Sequence, residues 1–338
     1  MNQTQDLGEI AAALGEMGLA RPGEELLIQT LSGGVSCDVF AVHAGGRSFC
    51  VKRALERLRV AVEWHAPAER SEAEVAWLRL VAGIDSKLVP KVLGEDRARH
   101  LFVMEFLAPE NYPVWKSLLA AGTIDVAFAA RVGAALARIH ARTAGNADIA
   151  SAFANDAQFH ALRIEPYLLH SAEKNPDVAP AIRALADGVA KARIALMHGD
   201  VSPKNILCGP DGPVFLDAET ACYGDPAFDL AFCLNHLLLK AVWHKEFARD
   251  HASAFSVLAH TYFANATWEN LDALDRRAAT LLSALLLARI DGKSPVEYLT
   301  ETSDKEFVRA QAKAFLAKPP ADLHALAAVW YGAVLGQK

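Results

Sequence analysis

Asp200, Asn205 five residues on, and Asp217 twelve beyond that are the residues best spaced for chemistry. They sit in Met197-His198-Gly199-Asp200-Val201-Ser202-Pro203-Lys204-Asn205-Ile206-Leu207 and Phe215-Leu216-Asp217-Ala218-Glu219, between short apolar runs. Phosphoryl transfer from a nucleotide needs this set: one carboxylate orients or deprotonates a hydroxyl, and an amide with a second carboxylate holds magnesium on the phosphates. Asp200 is the candidate base. An ordinary carboxylate pKa suffices, because the proton departs late in a loose transition state and positioning dominates. Asn205 and Asp217 are the candidate magnesium ligands, being hard oxygen donors. Glu219 falls on the same side as Asp217 if the segment stays extended, within reach of a second metal, its water shell or the substrate. His198 reads as a loop-shaping residue. Lys204 reads either as a charge near the transferred group or as a solvated lysine.

A second group lies upstream. Leu31-Ser32-Gly33-Gly34-Val35-Ser36-Cys37-Asp38 is a glycine-rich turn between strand-like runs. Gly33 and Gly34 would let backbone N–H groups approach phosphate oxygens, and Ser36 would add a hydroxyl. Lys52 follows Cys50 and Val51 on the third strand, placed to pair α- and β-phosphates and to be held by a helical glutamate. Glu72 and Glu74 both qualify, and Glu74, one turn before Trp77 and Leu78, is preferred.

The elements that must position these groups follow from pattern. Residues 5–18 read as an amphipathic helix. Residues 26–31, 39–42 and 48–52 read as strands joined at Gly33-Gly34 and Gly45-Gly46. Residues 68–82 read as a helix, and 88–93 and 101–107 as strands. Beyond residue 114 helical spacing dominates: Ile124 to Thr143, then 226–242, 247–263, 271–290, 303–316 and 321–335, interrupted by short strands across 194–219. Asp225-Pro226 reads as a cap and first helical residue, with Asp229 in the first turn bracing the catalytic loop. Pro109 and Pro113 punctuate the boundary between a lobe over 1–107 and a lobe over 108–338.

The chain has 338 residues, 52% of them hydrophobic, which suits two lobes better than one core. Its formal net charge is −6, without the basic excess of a nucleic-acid binder. Five widely spaced cysteines and no CxxC favour reduced thiols and a cytoplasmic location over disulfides or zinc. No signal peptide is readable, and no apolar run reaches the roughly 18 residues of a membrane span.

Taken together, residues 26–240 resemble the aminoglycoside/choline-kinase-like phosphotransferases, and within them the 5-methylthioribose kinases. Val51-Lys52-Arg53-Ala54-Leu55-Glu56-Arg57-Leu58-Arg59-Val60 is similar to the lysine strand of those kinases. Glu63-Trp64 and Glu69-Arg70 are similar to their tryptophan loop and helix start, and Asp217-Ala218-Glu219 to their Asp-Pro-Glu segment. The resemblance implies an α+β, bilobal protein-kinase-like fold: a small antiparallel-sheet N-lobe binds nucleotide, and a larger, mainly helical C-lobe carries catalysis and acceptor. It implies ATP and Mg2+ as cofactors, Asp200 as base, and Asp217 with Glu219 at the metal. It also implies adenine contacts from the Glu105 C=O and the Leu107 N–H. Pro203-Lys204-Asn205 departs toward the wider superfamily, and Asn235-His236 replaces a Gly-Asn pair. Trp64, His236 and Arg289 are the candidate acceptor contacts.

These features predict transfer of the ATP γ-phosphoryl to a hydroxyl of a small polar metabolite, with a pentose-like sugar favoured. Aminoglycoside, choline, ethanolamine and homoserine acceptors remain alternatives, as does a nucleotide-binding regulator without turnover. A protein kinase is disfavoured: no Arg precedes Asp200, and no Ala-Pro-Glu segment follows the metal site. Nucleic-acid and membrane partners are not expected, and a homodimer is left open.

Overall fold

A computed structural model describes residues 3–31, 37–55 and 68–336. Gly33, Gly34 and Ser36 of the glycine turn, and Trp64 with its loop, lie outside the described residues. The chain divides into two compact units, Met1–Asn111 and Tyr112–Lys338.

The first unit holds α1 (Gln3–Glu16), β1 (Leu26–Leu31), β2 (Cys37–Ala44), β3 (Arg47–Ala54), α2 (Arg70–Ile84), β4 (Val92–Asp96) and β5 (Leu101–Glu105). The strands form one antiparallel sheet in the order β1-β2-β3-β5-β4. Gly45 and Gly46 close the β2–β3 hairpin at φ +52° and +78°, the left-handed pair that a two-residue hairpin turn requires. Alternation along β3 then sets the two faces. Phe49 and Val51 join Ile10, Ala13 and Leu14 of α1, with Phe40, Val42, Leu101 and Val103, in a dry cluster. Lys52 has the opposite parity and meets α2, whose Glu74, Val75, Trp77, Leu78 and Val81 are buried.

The second unit opens with α3 (Trp115–Ala120) and α4 (Val126–Thr143). Asp125 caps α4 by accepting the Phe128 N–H at 3.0 Å. Residues 145–192, assigned no element from sequence, are a run of helical pieces ending in an amphipathic helix of 13 residues. They form α5 (Ala147–Ala152), α6 (Asp156–Phe159), a wide helical stretch His160–Leu169, α7 (His170–Lys174) and α8 (Ala179–Lys191). Two small antiparallel pairs follow, β6 (Ala195–Met197) with β9 (Cys222–Gly224) and β7 (Ile206–Gly209) with β8 (Gly212–Phe215). Then come α9 (Pro226–Trp243), α10 (Ala248–Asn265), α11 (Leu271–Asp291), α12 (Thr302–Ala317) and α13 (Leu323–Gly336).

Helix α9 is the axis of this unit, buried without interruption from Pro226 to Val242. A helix apolar all round belongs in a core. Gly133 lets α4 run against α10 at backbone distance, since a Cβ there would lie 2.3 Å from the Leu258 C=O. All five cysteines are free thiols. No helix among the described residues is long and apolar enough to cross a membrane.

Candidate active site

In the first unit, Lys52 Nζ donates to Glu74 Oε2 at 2.6 Å, with both side chains almost wholly buried. A strand and a helix thus fix one ammonium by one carboxylate. Glu72 instead lies 3.3 Å from the exposed Arg97. At the end of β5 the Glu105 N–H is spent on the Lys91 C=O at 2.9 Å. The Leu107 N–H has no acceptor among the described residues.

In the second unit the loop 198–205 is tied from several sides. Asp229, in the first turn of α9, accepts the N–H groups of His198 at 2.7 Å and Gly199 at 2.9 Å. Its other partner is His140 of α4, Nε2 to Oδ2 at 3.3 Å, and His140 Nδ1 meets the Tyr262 hydroxyl at 2.9 Å. Burial holds His198 below its usual pKa despite nearby Asp229 and Asp200. The neutral ring donates from Nε2 to the Leu216 C=O at 3.0 Å and accepts the Asp200 N–H at Nδ1, 3.2 Å. Gly199 sits at φ +79°, and a Cβ there would meet Thr220 Oγ1 at 2.5 Å. The position therefore excludes any larger residue.

Asp200 is 4% exposed. Arg163 Nη2 lies 3.0 Å from its Oδ2, and Lys204 Nζ 3.2 Å from the same oxygen. Burial alone would raise this carboxyl, but Lys204 and Arg163 outweigh it and hold it well below the usual carboxylate range. Each cation makes its closest approach to Oδ2, and no hydrogen bond to Oδ1 is formed among the described residues. Asp200 therefore stays ionised, with one oxygen engaged and one turned to other business.

Arg163 has no motif in the sequence, and the structure explains its place. Pro166 has no N–H for the Leu162 C=O that an α-helical turn would serve. Arg163 Nη1 donates to that oxygen at 2.7 Å, while Nε donates to the Gly199 C=O at 2.6 Å. The turn widens, and the His170 N–H returns to the Glu165 C=O five residues back. The guanidinium lies 5.7 Å from the Tyr167 ring centroid and 6.0 Å from that of Phe232.

Asn205 Nδ2 donates to the Asp200 C=O at 3.0 Å, which fixes the amide and leaves Oδ1 as its oxygen donor. Asp217 adopts φ +67°. The segment is therefore not extended here, yet the carboxylates of Asp217 and Glu219 still lie within 4.8 Å of each other, so the expected common side is reached through a left-handed turn rather than through strand alternation. An aspartate tolerates that conformation better than most side chains. Glu219 is buried, and its C=O accepts from Gln158 Nε2. Asn205, Asp217 and Glu219 supply only hard oxygens, with no nitrogen or sulfur among them, a donor set that fits magnesium.

His236 and Arg289, both buried, belong to the same unit as Asp200. Arg289 Nη1 donates to the Tyr167 hydroxyl at 3.3 Å and to the Ser294 C=O and Oγ. Its guanidinium lies 5.6 Å from the Tyr167 ring, so one tyrosine touches both Arg163 and Arg289.

Comparison with known proteins bears on the family and the fold. Methylthioribose kinase 1 of Oryza sativa subsp. japonica is 25% identical over 246 residues, 64% of this chain. The match spans only 56% of that protein's length. A choline/ethanolamine kinase family protein from Mesorhizobium loti superposes with a TM-score of 0.53 at 18% identity, over 98% of this chain and 99% of its own. Spectinomycin phosphotransferase APH(9)-Ia, in complex with ADP and spectinomycin, gives 0.50 at 14% identity, over 96% and 98%. These likenesses show the fold: α+β and protein-kinase-like, an antiparallel sheet followed by a mainly helical region. A family pattern described as the phosphotransferase enzyme family runs through residues 27–279, from β1 into α11, and the chain belongs to that family.

Proposed function

We propose that the chain is an ATP-dependent kinase that phosphorylates a hydroxyl of a small polar metabolite, with a pentose-like sugar such as 5-methylthioribose as the favoured acceptor. The observation that carries this reading is the one-sided engagement of Asp200. Two cations occupy Oδ2, and Oδ1 is left to receive a proton. A carboxylate held ionised is a weak base. It suits a reaction in which the hydroxyl must be aimed more than deprotonated.

In this reading residues 1–107 form the nucleotide-binding lobe and residues 108–338 the catalytic and acceptor lobe. Lys52, fixed by Glu74, serves the α- and β-phosphates; the Glu105 C=O and Leu107 N–H serve the adenine. Gly33, Gly34 and Ser36 serve the phosphates through their turn. Asn205, Asp217 and Glu219 would hold magnesium, which would neutralise charge on the phosphates. Asp200 Oδ1 accepts the hydroxyl proton as the acceptor oxygen bonds to the γ-phosphorus. The bond to the β–γ bridging oxygen breaks, and its electron pair leaves with ADP. Arg163 and Lys204 stabilise the ionised Asp200 and keep its rotamer. The 25% identity to methylthioribose kinase 1 supports the sugar as acceptor.

The test is ADP release from Mg-ATP with pentoses, 5-methylthioribose, amino alcohols, homoserine, aminoglycosides and serine peptides, with product masses measured. One small hydroxyl compound should accelerate ADP release and gain a phosphoryl group. Acceleration by peptides alone, or nucleotide binding with no acceptor-dependent turnover, would sink the reading.

A further inference from the structure

Beyond Asp200 the second unit buries a group of donors that its own fold leaves unused. Arg289 makes all its hydrogen bonds through Nη1, and only to neutral partners, the Tyr167 hydroxyl and Ser294. Its Nε is buried with no partner. Lys240, one turn after His236 on α9 and 1% exposed, has no partner for Nζ. The His236 Nε2 and the Tyr298 hydroxyl are likewise buried and unpartnered. Among the described residues no carboxylate pairs with Arg289 or Lys240. Glu297 lies close enough to act on Arg289, Lys240 and Tyr298, but its ion pair is with Lys116.

These groups share one electrostatic neighbourhood. The His236 ring feels Arg289, Lys240, Asp200 and Lys204 together. Arg289 acts on the hydroxyls of both Tyr167 and Tyr298. Burial alone would raise the Tyr167 phenol, yet Arg289 and Arg163 bring it below its usual pKa, so the local potential is positive even beside Asp200. Backbone links hold the set: the Val296 N–H bonds to the Arg289 C=O at 2.9 Å, carrying the Tyr298 segment back to α11. Lys240 Nζ lies 4.6 Å from the Tyr298 ring centroid and 5.1 Å from that of Trp243. Burial lowers the pKa of Lys240 to about 8, and the aromatic faces attract its ammonium without satisfying its N–H bonds.

We propose that Arg289, Lys240, His236 and Tyr298 form an acceptor subsite for an anionic group, so that the phosphorylated metabolite is a polyol or sugar bearing a carboxylate or phosphate. The inference rests on the kinase chemistry proposed above but not on its favoured acceptor: 5-methylthioribose is neutral, and this subsite favours an anionic polyol or sugar in its place. Buried cations without acids are costly in a folded chain, and water satisfies their hydrogen bonds without neutralising them. An anion does both. Asp200 Oδ1 takes the acceptor's hydroxyl, and the cations take its charge, fixing the molecule at two points. The same charges repel choline, ethanolamine and aminoglycosides, which gives selectivity by exclusion.

The experiment is calorimetry on the full chain loaded with magnesium and a non-hydrolysable ATP analogue, titrated with D-ribonate, D-ribose 5-phosphate, D-ribose and choline. At least one anion should bind, and at least ~10-fold tighter than D-ribose, the order expected of a charge-assisted contact. Which of the two binds separates carboxylate from phosphate. Lys240→Met, close to isosteric and free of the desolvation cost, should weaken that anion at least ~10-fold and leave the nucleotide's affinity unchanged. Arg289→Lys gives a second reading that keeps the charge but loses the planar donor pair. Ribose or choline binding as tightly as either anion would overturn the proposal. So would nucleotide binding with neither anion bound, or anion binding indifferent to both substitutions. Loss of magnesium-nucleotide binding in the unaltered chain would instead remove the kinase reading beneath it.

Discussion

At Asp200, Arg163 Nη2 and Lys204 Nζ share Oδ2 at 3.0 and 3.2 Å, so the carboxylate's rotamer is set by charge rather than by packing alone. Asp200→Asn should keep nucleotide affinity and lower kcat by at least ~100-fold, the range for a positioned base; steady-state kinetics beside nucleotide titration decides it, and near-normal turnover would exclude Asp200. Arg163→Gln should lower kcat by at least ~10-fold while magnesium-nucleotide binding persists, since a single charge-assisted bond has that order of worth. Rescue by Arg163→Lys should be partial, because a lysine cannot serve Leu162, Gly199 and Asp200 at once. Lys52 carries a different consequence. Its pair with Glu74 is buried at 6% and 2% side-chain exposure. Lys52→Met should therefore weaken nucleotide binding and also cost roughly 3–5 kcal/mol of stability, the usual result of removing one partner of a buried ion pair; chemical denaturation measures it. Asp200, Asn205, Asp217 and Lys52 are legible in the sequence because their chemistry demands fixed spacing. Arg163 is not, since its relation to Asp200 passes through a proline-widened turn far upstream. Lys240 and Tyr298 also escape, because one sits in an apolar helix and the other beyond any motif.

Two elements set the catalytic loop, the wide turn around Pro166 and the left-handed turn at Gly199. Gly199→Ala would hold an alanine at φ +79° with its Cβ 2.5 Å from Thr220 Oγ1. Strain of this kind and the clash together should cost about 2–4 kcal/mol, visible as a lower Tm and a kcat loss. An unchanged melting curve would mean that the loop relaxes freely. The long elements were readable for definite reasons. Asp225-Pro226 starts α9, helical spacing from Ile124 to Thr143 marks α4, and Gly45-Gly46 turns the β2–β3 hairpin. The stretch from 145 to 192 was not, because short pieces and the wide turn at Pro166 break it up, although α8 is at least as amphipathic as α4. Asp217 reaches the expected outcome by another route: it turns at φ +67°, and its carboxylate still lies within 4.8 Å of that of Glu219.

Across the molecule, buried bases tie stability to pH. His251 is fully buried, and neither ring nitrogen has a partner. Burial, then Lys240 and His244, push it down to about 4 from 6.5. The folded state therefore binds this proton less readily than the unfolded chain. The stabilisation is complete above pH ~6.5 and is lost as pH falls toward ~4, by roughly 3 kcal/mol in all. Denaturation midpoints between pH 7 and 4 should show that loss, and His251→Leu should flatten the curve over the same window. A slope unchanged by the substitution would assign the acid sensitivity elsewhere.

Helix α9 carries Asp229 at its start and His236 and Lys240 along its length, while every residue from Pro226 to Val242 is buried. Its backbone amides can meet solvent deuterium only when the second unit opens as a whole, so their exchange should be the slowest in the chain. Residues that brace the loop and greet the acceptor would then share one fate with the fold. New acceptor preferences arising in this helix would have to appear alongside compensating changes in its neighbours, α10, α11 and α13, rather than as isolated exchanges on a tolerant surface.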